Sequence, residues 1–272
     1  MPSSNQVPAE TLLLRYWDCS GRGIIPRYMA YDAGLDFVDD IISVEETFLG
    51  SWATVEKFQP EFAGPFKALP VVKHRGETIN ETSACAQYVA ELAGYMPGHP
   101  LDRAKATMIF AHIYDDVHMP ISDAIWEFKD WDRDVIGGFG GPTAGLSLKF
   151  ANLEEILRKN SGDYAVGKAI SIADFAIYYI VDLLTRRMMS VKSGPSAVEL
   201  LFGDKPAIAD HQKMMGSRPN IDKFRSSEAW ASYGHFLSGK GTLKDKTHEL
   251  GMGPTELEGF EQLSAKLIAG PT

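Results

Sequence analysis

The sequence predicts an α/β domain followed by an all-helical bundle, and three observations support this fold class. From Glu10 to about Gly94, short β-rich runs alternate with amphipathic stretches, as strands and helices do in an α/β domain. Beyond Pro100, nearly every periodic segment has the spacing of an amphipathic helix. Between the two parts, the segment GYMPGHP breaks the helical pattern. We therefore place a domain at 1–94 and a second domain at 101–236.

The first domain is predicted to run in the order βαβ and then ββα. Its predicted elements are the strand Thr11–Trp17, the helix Gly23–Ala33, the strands Leu35–Val44, Leu69–Lys73 and Glu77–Asn80, and the helix Thr82–Leu92. Gly34 is a stop signal for the first helix, because glycine accepts the left-handed backbone that ends many helices. A turn at 74–76 separates the last two strands.

The second domain is predicted to contain helices only. Their predicted bounds are Asp102–Asp130, Leu146–Lys159, Ile172–Met188, Pro206–Met215 and Ile221–Ser232. The glycine-rich segment at 136–145 follows no strand, so an interhelical loop is favoured over a phosphate-binding loop. Residues 237–272 are polar and rich in glycine, and we interpret them as a C-terminal extension.

The composition limits the classes of function. The chain has 36 acidic and 27 basic residues, an excess that repels nucleic-acid phosphates. No uninterrupted apolar segment approaches the roughly 20 residues that span a bilayer. The first ten residues carry no basic cluster and no apolar stretch, and the only cysteines, Cys19 and Cys85, are too few for a disulfide framework. We therefore expect a cytoplasmic protein that binds neither nucleic acid nor membrane.

Four short motifs occur in order along the chain. They are Tyr16-Trp17-Asp18-Cys19-Ser20-Gly21 with Arg27 further on, Leu69-Pro70-Val71, Glu81-Thr82-Ser83-Ala84, and Ser171-Ile172-Ala173-Asp174-Phe175. In this order and at these spacings, the motifs resemble those of the cytosolic glutathione S-transferases, and the first resembles the tyrosine-type mu and sigma classes. The resemblance covers about Thr11 to Gly234. It implies a thioredoxin-like first domain that binds glutathione and a helical second domain that binds an electrophile.

The resemblance implies that Tyr16 is the catalytic residue and part of the glutathione site. A free thiol has a pKa of about 8.5, so only a few per cent is the nucleophilic thiolate at neutral pH. A tyrosine hydroxyl at the end of the first strand can donate a hydrogen bond to the sulfur, and the helix N-terminus near Gly23 adds a favourable dipole. Ser20 and Cys19 are rival candidates, since other transferase classes use a serine or a cysteine near this turn. A cysteine there would give thiol-transfer chemistry.

The remaining glutathione-binding residues also follow from the resemblance. Leu69 and Pro70 correspond to a cis-proline step whose neighbouring backbone pairs with the cysteinyl part of glutathione. Glu81 and Thr82 begin a helix, where a hydroxyl and unpaired N–H groups can hold the γ-glutamyl carboxylate. The carboxylate of Glu81 can receive the amino group. A tryptophan and a lysine that contact the glycyl end correspond best to Trp52 and Lys57.

Two further clusters have structural interpretations. Ser171 and Asp174 form a predicted capping box at the start of a core helix. His112 and Asp116 stand four residues apart, but no third ligand is evident and His118 lies about 60° further round an α-helix, so we predict no metal. Tyr114 and Met119 could line the electrophile site or belong to the core, and Asp115 or Asp116 could face a dimer partner. Cys85 is predicted to be a core residue.

The leading hypothesis is conjugation of glutathione, as co-substrate, to small hydrophobic electrophiles, a detoxification reaction. A glutathione-dependent isomerase or peroxidase on the same site is an alternative within the same chemistry. A non-catalytic protein that keeps the fold for binding or structure is the alternative from another class. The retained Tyr16, Glu81 and Thr82 favour the enzyme, and the resemblance implies a homodimer with the site in the cleft between domains.

Overall fold

The computed structural model describes residues 8–18, 21–42, 51–121, 145–160, 164–188, 198–199, 201–228 and 230. The elements of the first domain are β1 Leu12–Trp17, α1 Ile24–Asp32, β2 Phe37–Ile42, α2 Ser51–Thr54, a 3₁₀ turn Glu56–Phe58, α3 Pro60–Ala63, β3 Val71–His74, β4 Glu77–Asn80 and α4 Thr82–Ala93. The predicted order of βαβ and then ββα is confirmed. Short helices between β2 and β3 were not predicted.

The first domain is built on a four-stranded sheet of order β2-β1-β3-β4. Strand β1 is parallel to β2 and antiparallel to β3, and β3 is antiparallel to β4. Side chains alternate between the two faces of a strand. Leu12, Leu14 and Tyr16 lie on the face that packs into the main core with α1 and α4. This alternation aims Tyr16 toward the helices rather than toward the opposite face of the sheet.

The opposite face of β1 carries a buried cation. Arg15 is 4% exposed, and its Nε lies 2.6 Å from a carboxylate oxygen of Asp40 on β2. Its guanidinium carbon lies 5.1 Å from the centre of the Phe62 ring of α3. The segment 51–63 therefore covers this face of the sheet by packing on Arg15, whose charge is balanced by a neighbouring carboxylate.

Arg27 of α1, part of the first motif, has a structural function. It is fully buried, and its Nε donates to Asp39 of β2 at 2.7 Å. Its other nitrogens donate to the backbone carbonyls of Trp17 and Tyr16. One side chain thus joins α1, the edge strand β2 and the end of β1, which fixes where β1 presents Tyr16.

The second domain contains helices in its described part. They are α5 Pro100–Ala111, a π-helical segment His112–His118, α6 Gly145–Lys159, α7 Ile172–Met188, α8 Pro206–Gly216 and α9 Pro219–Arg225. Helix α7 is the centre of the bundle, because every residue from 172 to 181 is buried. The bounds predicted for α7 are confirmed at both ends. None of the described helices is both long and apolar enough to cross a membrane.

The predicted capping box at the start of α7 is present. Asp174 reaches back and accepts hydrogen bonds from the backbone N–H of Ser171 at 2.8 Å and from its hydroxyl at 3.0 Å. The same carboxylate accepts from the N–H of Ala165 at 2.7 Å and lies 3.1 Å from Nε2 of His211. Asp174 therefore organises the loop before α7 as well as the helix itself.

Two predicted helices differ from the observed ones. The helix predicted over 102–130 begins at Pro100, becomes π-helical over His112–His118 and continues as far as 121, and the rest of the prediction falls outside the described residues. The helix predicted over 221–232 instead spans Pro219–Arg225. A turn interrupts it, and the Ser227 hydroxyl accepts from the N–H of Trp230. The predicted loop at 136–144 and the extension at 237–272 also fall outside the described residues.

An ion pair joins the two helical layers across the domains. Asp32, at the end of α1, accepts from Arg218 before α9 at 2.6 Å and from the hydroxyl of Tyr95 at 2.6 Å. Asn220 donates to the backbone carbonyl of Asp32 at 2.8 Å. The backbone of Tyr95 in turn accepts from the N–H of Ile172. The segment after α4 is therefore tied to both domains.

Candidate active site

Tyr16 lies at the carboxyl end of β1, against the turn that leads into α1. Its side chain is 3% exposed, and its hydroxyl oxygen accepts the backbone N–H of Arg22 at 2.9 Å. A Cβ atom at Gly23 would lie 2.4 Å from Cγ of Tyr16, so only glycine fits where the turn crosses the ring. The position of Tyr16 in β1 therefore places its phenol beside the turn that leads into α1, and contacts with this turn hold the phenol there.

This geometry leaves the Tyr16 hydroxyl able to donate a hydrogen bond. A phenol oxygen can accept one hydrogen bond and still donate its own O–H. The N–H of Arg22 also stabilises negative charge that develops on the phenol oxygen. Trp17 packs beside the ring at 5.3 Å between ring centres. The rival residues Cys19 and Ser20 fall outside the described residues.

The peptide bond between Leu69 and Pro70 is cis, as predicted for the second motif. Pro70 immediately precedes β3, and both side chains are buried. Cys85 of α4 packs behind this step, with Sγ 3.8 Å from the carbonyl oxygen of Pro70 and 3.4 Å from that of Ile79. Burial raises the pKa of the Cys85 thiol to about 12, so it is a core residue and not a nucleophile.

Glu81 and Thr82 stand at the N-terminus of α4. Glu81 has φ +68° and ψ 131°, a conformation that costs about 1–3 kcal/mol for a residue with a side chain and is often found at functional sites. Its side chain is exposed, and no side chain caps the helix. Thr82 is 2% exposed, and its hydroxyl donates to the hydroxyl of Tyr114 at 3.0 Å. That contact with the second domain was not predicted.

Trp52 and Lys57 differ in their surroundings. Trp52 is 4% exposed and packs within the core. Lys57 is partly buried, and desolvation lowers the pKa of its amine. Within the described part of the chain, Lys57 makes no ion pair. Since an anion beside a partly buried ammonium offsets its desolvation, Lys57 is the better placed of the two to bind a carboxylate.

The π-helical segment contacts the start of α4 through the hydrogen bond between Thr82 and Tyr114. The Tyr114 ring stacks on His118, with 5.5 Å between ring centres and 12° between planes. Nδ1 of His118 lies 2.8 Å from the Tyr179 hydroxyl, and burial lowers the pKa of His118 to about 3. His112 pairs with Asp116 at 2.8 Å, as their spacing predicts. The described residues contain no group of three or more potential metal ligands.

Hydrogen bonds and an electrostatic interaction link the predicted site residues. The Arg22 backbone holds the Tyr16 hydroxyl, and the charge of Arg22 adds to the effect of burial in lowering the pKa of His118. Tyr114, in the same π-helical segment as His118, is hydrogen-bonded to Thr82. The described residues thus include a tyrosine hydroxyl, a helix N-terminus without a side-chain cap and a stacked aromatic pair, groups that can serve a peptide thiol and an apolar co-substrate. Tyr114 was expected from the sequence to line the electrophile site or to belong to the core, whereas its stacking on His118 and its bond to Thr82 were not predicted.

A family model and related sequences match this chain. Residues 143–228 match the model described as glutathione S-transferase, C-terminal domain. Glutathione S-transferase 1 of Ascaris suum is 26% identical over 167 residues, which cover 60% of this chain and 75% of the relative. Probable glutathione S-transferase 7 of Caenorhabditis elegans is 23% identical over 212 residues, which cover 77% of this chain and 92% of the relative.

Solved structures show the same architecture. The glutathione S-transferase of Ascaris lumbricoides superposes with a TM-score of 0.60 at 21% identity, over 79% of this chain and 95% of that one. The Pi-class glutathione S-transferase of Onchocerca volvulus gives a TM-score of 0.66 at 16% identity, over 85% and 99% of the two chains. The chain thus has the glutathione transferase fold, a thioredoxin-like domain followed by a helical domain. The matched parts of the chain are thus similar to glutathione S-transferases in sequence and in fold.

Proposed function

We propose that this chain is a glutathione transferase that joins the thiol of glutathione to small hydrophobic electrophiles, with Tyr16 as the activating residue. The observation that carries the proposal is the position of the Tyr16 hydroxyl. The backbone of Arg22 holds it just before α1, and the first turn of α4 is joined to the second domain through Thr82 and Tyr114. Relatives named glutathione S-transferases support the same activity.

Tyr16 activates the thiol by donating a hydrogen bond from its hydroxyl to the sulfur. This bond favours the thiolate, and the positive end of the α1 dipole adds to it. The thiolate then attacks the electrophilic carbon. A carbon–sulfur bond forms, the bond to the leaving group breaks with its electron pair, and the thiol proton passes to solvent. Since the thiolate is the nucleophile, lowering the thiol pKa raises the reactive fraction at neutral pH.

Glutathione binds along the edge formed by the other candidate residues. The N–H groups at the start of α4, including the backbone N–H of Thr82, hold the γ-glutamyl carboxylate, and the exposed Glu81 carboxylate holds the amino group. The backbone at Leu69 and Pro70 pairs with the cysteinyl part. Lys57 binds the glycyl carboxylate beside Trp52. A carboxylate bound beside Lys57 offsets the desolvation that lowers the pKa of the Lys57 amine.

We further propose that the chain is a cytoplasmic homodimer of the tyrosine type. The first motif, which resembles the mu and sigma classes, supports this subclass. Large apolar side chains are exposed on α5, the first helix of the second domain, and on the loop before β3: Leu101 is 57%, Met108 58% and Phe66 67% exposed. Sedimentation velocity should show a dimer in the wild type and a monomer in Met108→Glu. A monomeric wild type would refute the dimer.

The test of the transferase function pairs binding with catalysis. Glutathione is titrated calorimetrically into wild type, Tyr16→Phe and the control Tyr88→Phe, and conjugation to a chlorodinitrobenzene substrate is followed in parallel. Tyr88 is half-buried on α4 and its hydroxyl lies 2.7 Å from His74, away from the proposed site. All three should bind glutathione, and only Tyr16→Phe should lose conjugation. Absence of glutathione binding by the wild type would refute the proposal.

A further inference from the structure

A cavity of about 300 Å³ lies on the outer face of the sheet in the first domain. Leu13 of β1 and Lys73 of β3 line it and are paired across the two strands. Because side chains alternate along a strand, these two residues lie on the face opposite Tyr16. Thr11, at the start of β1, also lines the cavity and is about 16 Å along the strand from Tyr16. This outer-face cavity is therefore separate from the proposed glutathione site.

The outer face carries two cations with different surroundings. The centre of the Phe62 ring lies 5.1 Å from the guanidinium carbon of Arg15 and 5.9 Å from the ammonium nitrogen of Lys73. Arg15 is paired with Asp40. The ammonium group of Lys73 forms neither an ion pair nor a hydrogen bond with any other residue that the structure describes. The segment 51–63 thus covers Arg15 and leaves Lys73 in the wall of the cavity.

The burial of the Lys73 amine is not compensated by a paired carboxylate. Lys73 is half-buried, and desolvation, together with the charge of Arg15, lowers the pKa of its amine. Glu61 and Asp40 act in the opposite direction without reversing the shift. An anion bound beside the ammonium group offsets this cost, because an opposite charge favours the charged form. The floor of the cavity therefore suits a carboxylate.

The other polar groups of the cavity suit a ligand that also carries a positive charge. Thr78 of β4 lies directly across from Lys73, and neither its hydroxyl nor that of Thr11 is bonded to another described residue. The carboxylates of Glu61 and Glu77 line the same cavity and are exposed. Two carboxylates beside one ammonium group repel a ligand that is only negative and attract a cationic group.

We propose that the outer-face cavity binds a small zwitterion of the size of a free amino acid. Its carboxylate lies on Lys73, its ammonium group faces the carboxylates of Glu61 and Glu77, and its apolar part lies on Leu13. The volume is at the lower end of the range for small-molecule sites. The inference goes beyond the proposed transferase function and does not depend on it, since no lining residue belongs to the proposed glutathione site.

The test compares three ligands that share one alkyl chain, titrated into the wild type and followed by ligand-observed NMR. Leucine carries both charges, 4-methylpentanoate lacks the ammonium group, and 3-methylbutylamine lacks the carboxylate. Leucine should bind about two- to fivefold more tightly than 4-methylpentanoate, the contribution of an exposed ion pair. It should bind about tenfold more tightly than 3-methylbutylamine, which loses the charged hydrogen bond to Lys73. Absence of leucine binding, or equal binding of the three ligands, would overturn the proposal.

Variants assign the two contacts to their residues. Lys73→Met should weaken leucine binding about tenfold, whereas Lys73→Arg keeps the charge and should retain most of the affinity. Lys105→Met, at an exposed position of α5, is the matched control and should bind leucine as the wild type does. The double variant Glu61→Gln and Glu77→Gln should lose the preference for leucine over 4-methylpentanoate.

Three results in the variants would overturn the proposal. They are leucine binding unchanged in Lys73→Met, equal loss in Lys73→Met and Lys73→Arg, and a preference unchanged in the double glutamate variant. The same titrations keep this inference apart from the transferase proposal. A wild type that binds leucine as expected but not glutathione would refute the transferase function and leave the outer-face site standing.

Discussion

At the scale of single residues, the activating group depends on a neighbour without a side chain. The turn before α1 crosses the Tyr16 ring at Gly23, where a Cβ would lie 2.4 Å from Cγ of the tyrosine. The hydroxyl is therefore positioned by the backbone of residues 22 and 23 as much as by β1. The position of the hydroxyl thus depends on residues 22 and 23, whereas its chemistry comes from Tyr16. Only the chemistry could be predicted from the sequence.

Gly23→Ala should displace the Tyr16 ring. We expect a loss of about 1–3 kcal/mol in the free energy of unfolding, the usual cost of overpacking, and a fall in conjugation rate that exceeds any change in glutathione affinity. Gly98→Ala is the matched control, because a Cβ at Gly98 would meet nothing within 4 Å. Denaturant unfolding and steady-state kinetics measure both effects. Gly23→Ala with wild-type kinetics would show that the turn does not position the hydroxyl.

The buried His118 should make the fold sensitive to acid. Its pKa is lowered to about 3 in the folded state, against about 6.5 in an unfolded chain, so the unfolded state binds more protons between these values. Stability is then full above about pH 6.5 and is lost as the pH falls toward about 3. Between about pH 7 and pH 5, the free energy of unfolding of His118→Phe should fall by about 2 kcal/mol less than that of the wild type.

The measurement is urea unfolding as a function of pH. The exposed His99 provides a control, and His99→Phe should keep the pH dependence of the wild type. Equal pH dependence in His118→Phe and wild type would mean that the imidazole is charged, or absent from the core, in the folded protein.

At the scale of elements, Asp174 supports the helix at the centre of the bundle. One carboxylate serves the first turn of α7, the N–H of Ala165 and the ring of His211. Asp174→Ala should cost about 3 kcal/mol of unfolding free energy, because several buried donors lose their acceptor together. Asp222→Ala, at an exposed first-turn position of α9, should cost less than about 1 kcal/mol. Similar losses in the two variants would contradict a special function for Asp174.

Elements that depend on local patterning were predictable from the sequence. Strand β4 and helix α7 have the predicted bounds, because alternation and helical periodicity define them without long-range contacts. The π-helical segment was not predictable. Within it, Tyr114 and His118 stack on each other and bond to Thr82 and Tyr179, residues that are distant in the sequence.

The candidate site divides in the same way. Tyr16, the cis step at Pro70 and the start of α4 at Thr82 carry recognisable motifs, and the structure places each at an end of a regular element. No motif connects Thr82 with Tyr114, since the two residues lie in different domains. The hydrogen bond of the Thr82 hydroxyl to Tyr114 depends on packing between the domains, which neither motif predicts.

At the scale of the whole molecule, the two domains are held by a polar junction beside the cleft. Asp32 receives both Arg218 and Tyr95, and burial together with this carboxylate raises the pKa of the Tyr95 hydroxyl. Breaking a buried pair leaves an uncompensated charge, so Arg218→Met should cost about 3–5 kcal/mol in unfolding free energy.

The exposed pair of Arg103 and Glu91 provides the comparison for that junction. Arg103→Met should cost less than about 1 kcal/mol, as exposed ion pairs usually do. Denaturant unfolding of the two variants gives the difference directly. Equal stability of Arg218→Met and wild type would show that apolar packing alone holds the domains together.

The account depends most on the claim that Tyr16 activates the thiol of bound glutathione. The most direct measurement is the ultraviolet absorbance of the bound thiolate as a function of pH, in wild type and in Tyr16→Phe. We predict that the wild type lowers the pKa of the bound thiol below the free value of about 8.5, and that Tyr16→Phe returns it close to that value. A thiol pKa that is lowered equally in both proteins would contradict the account.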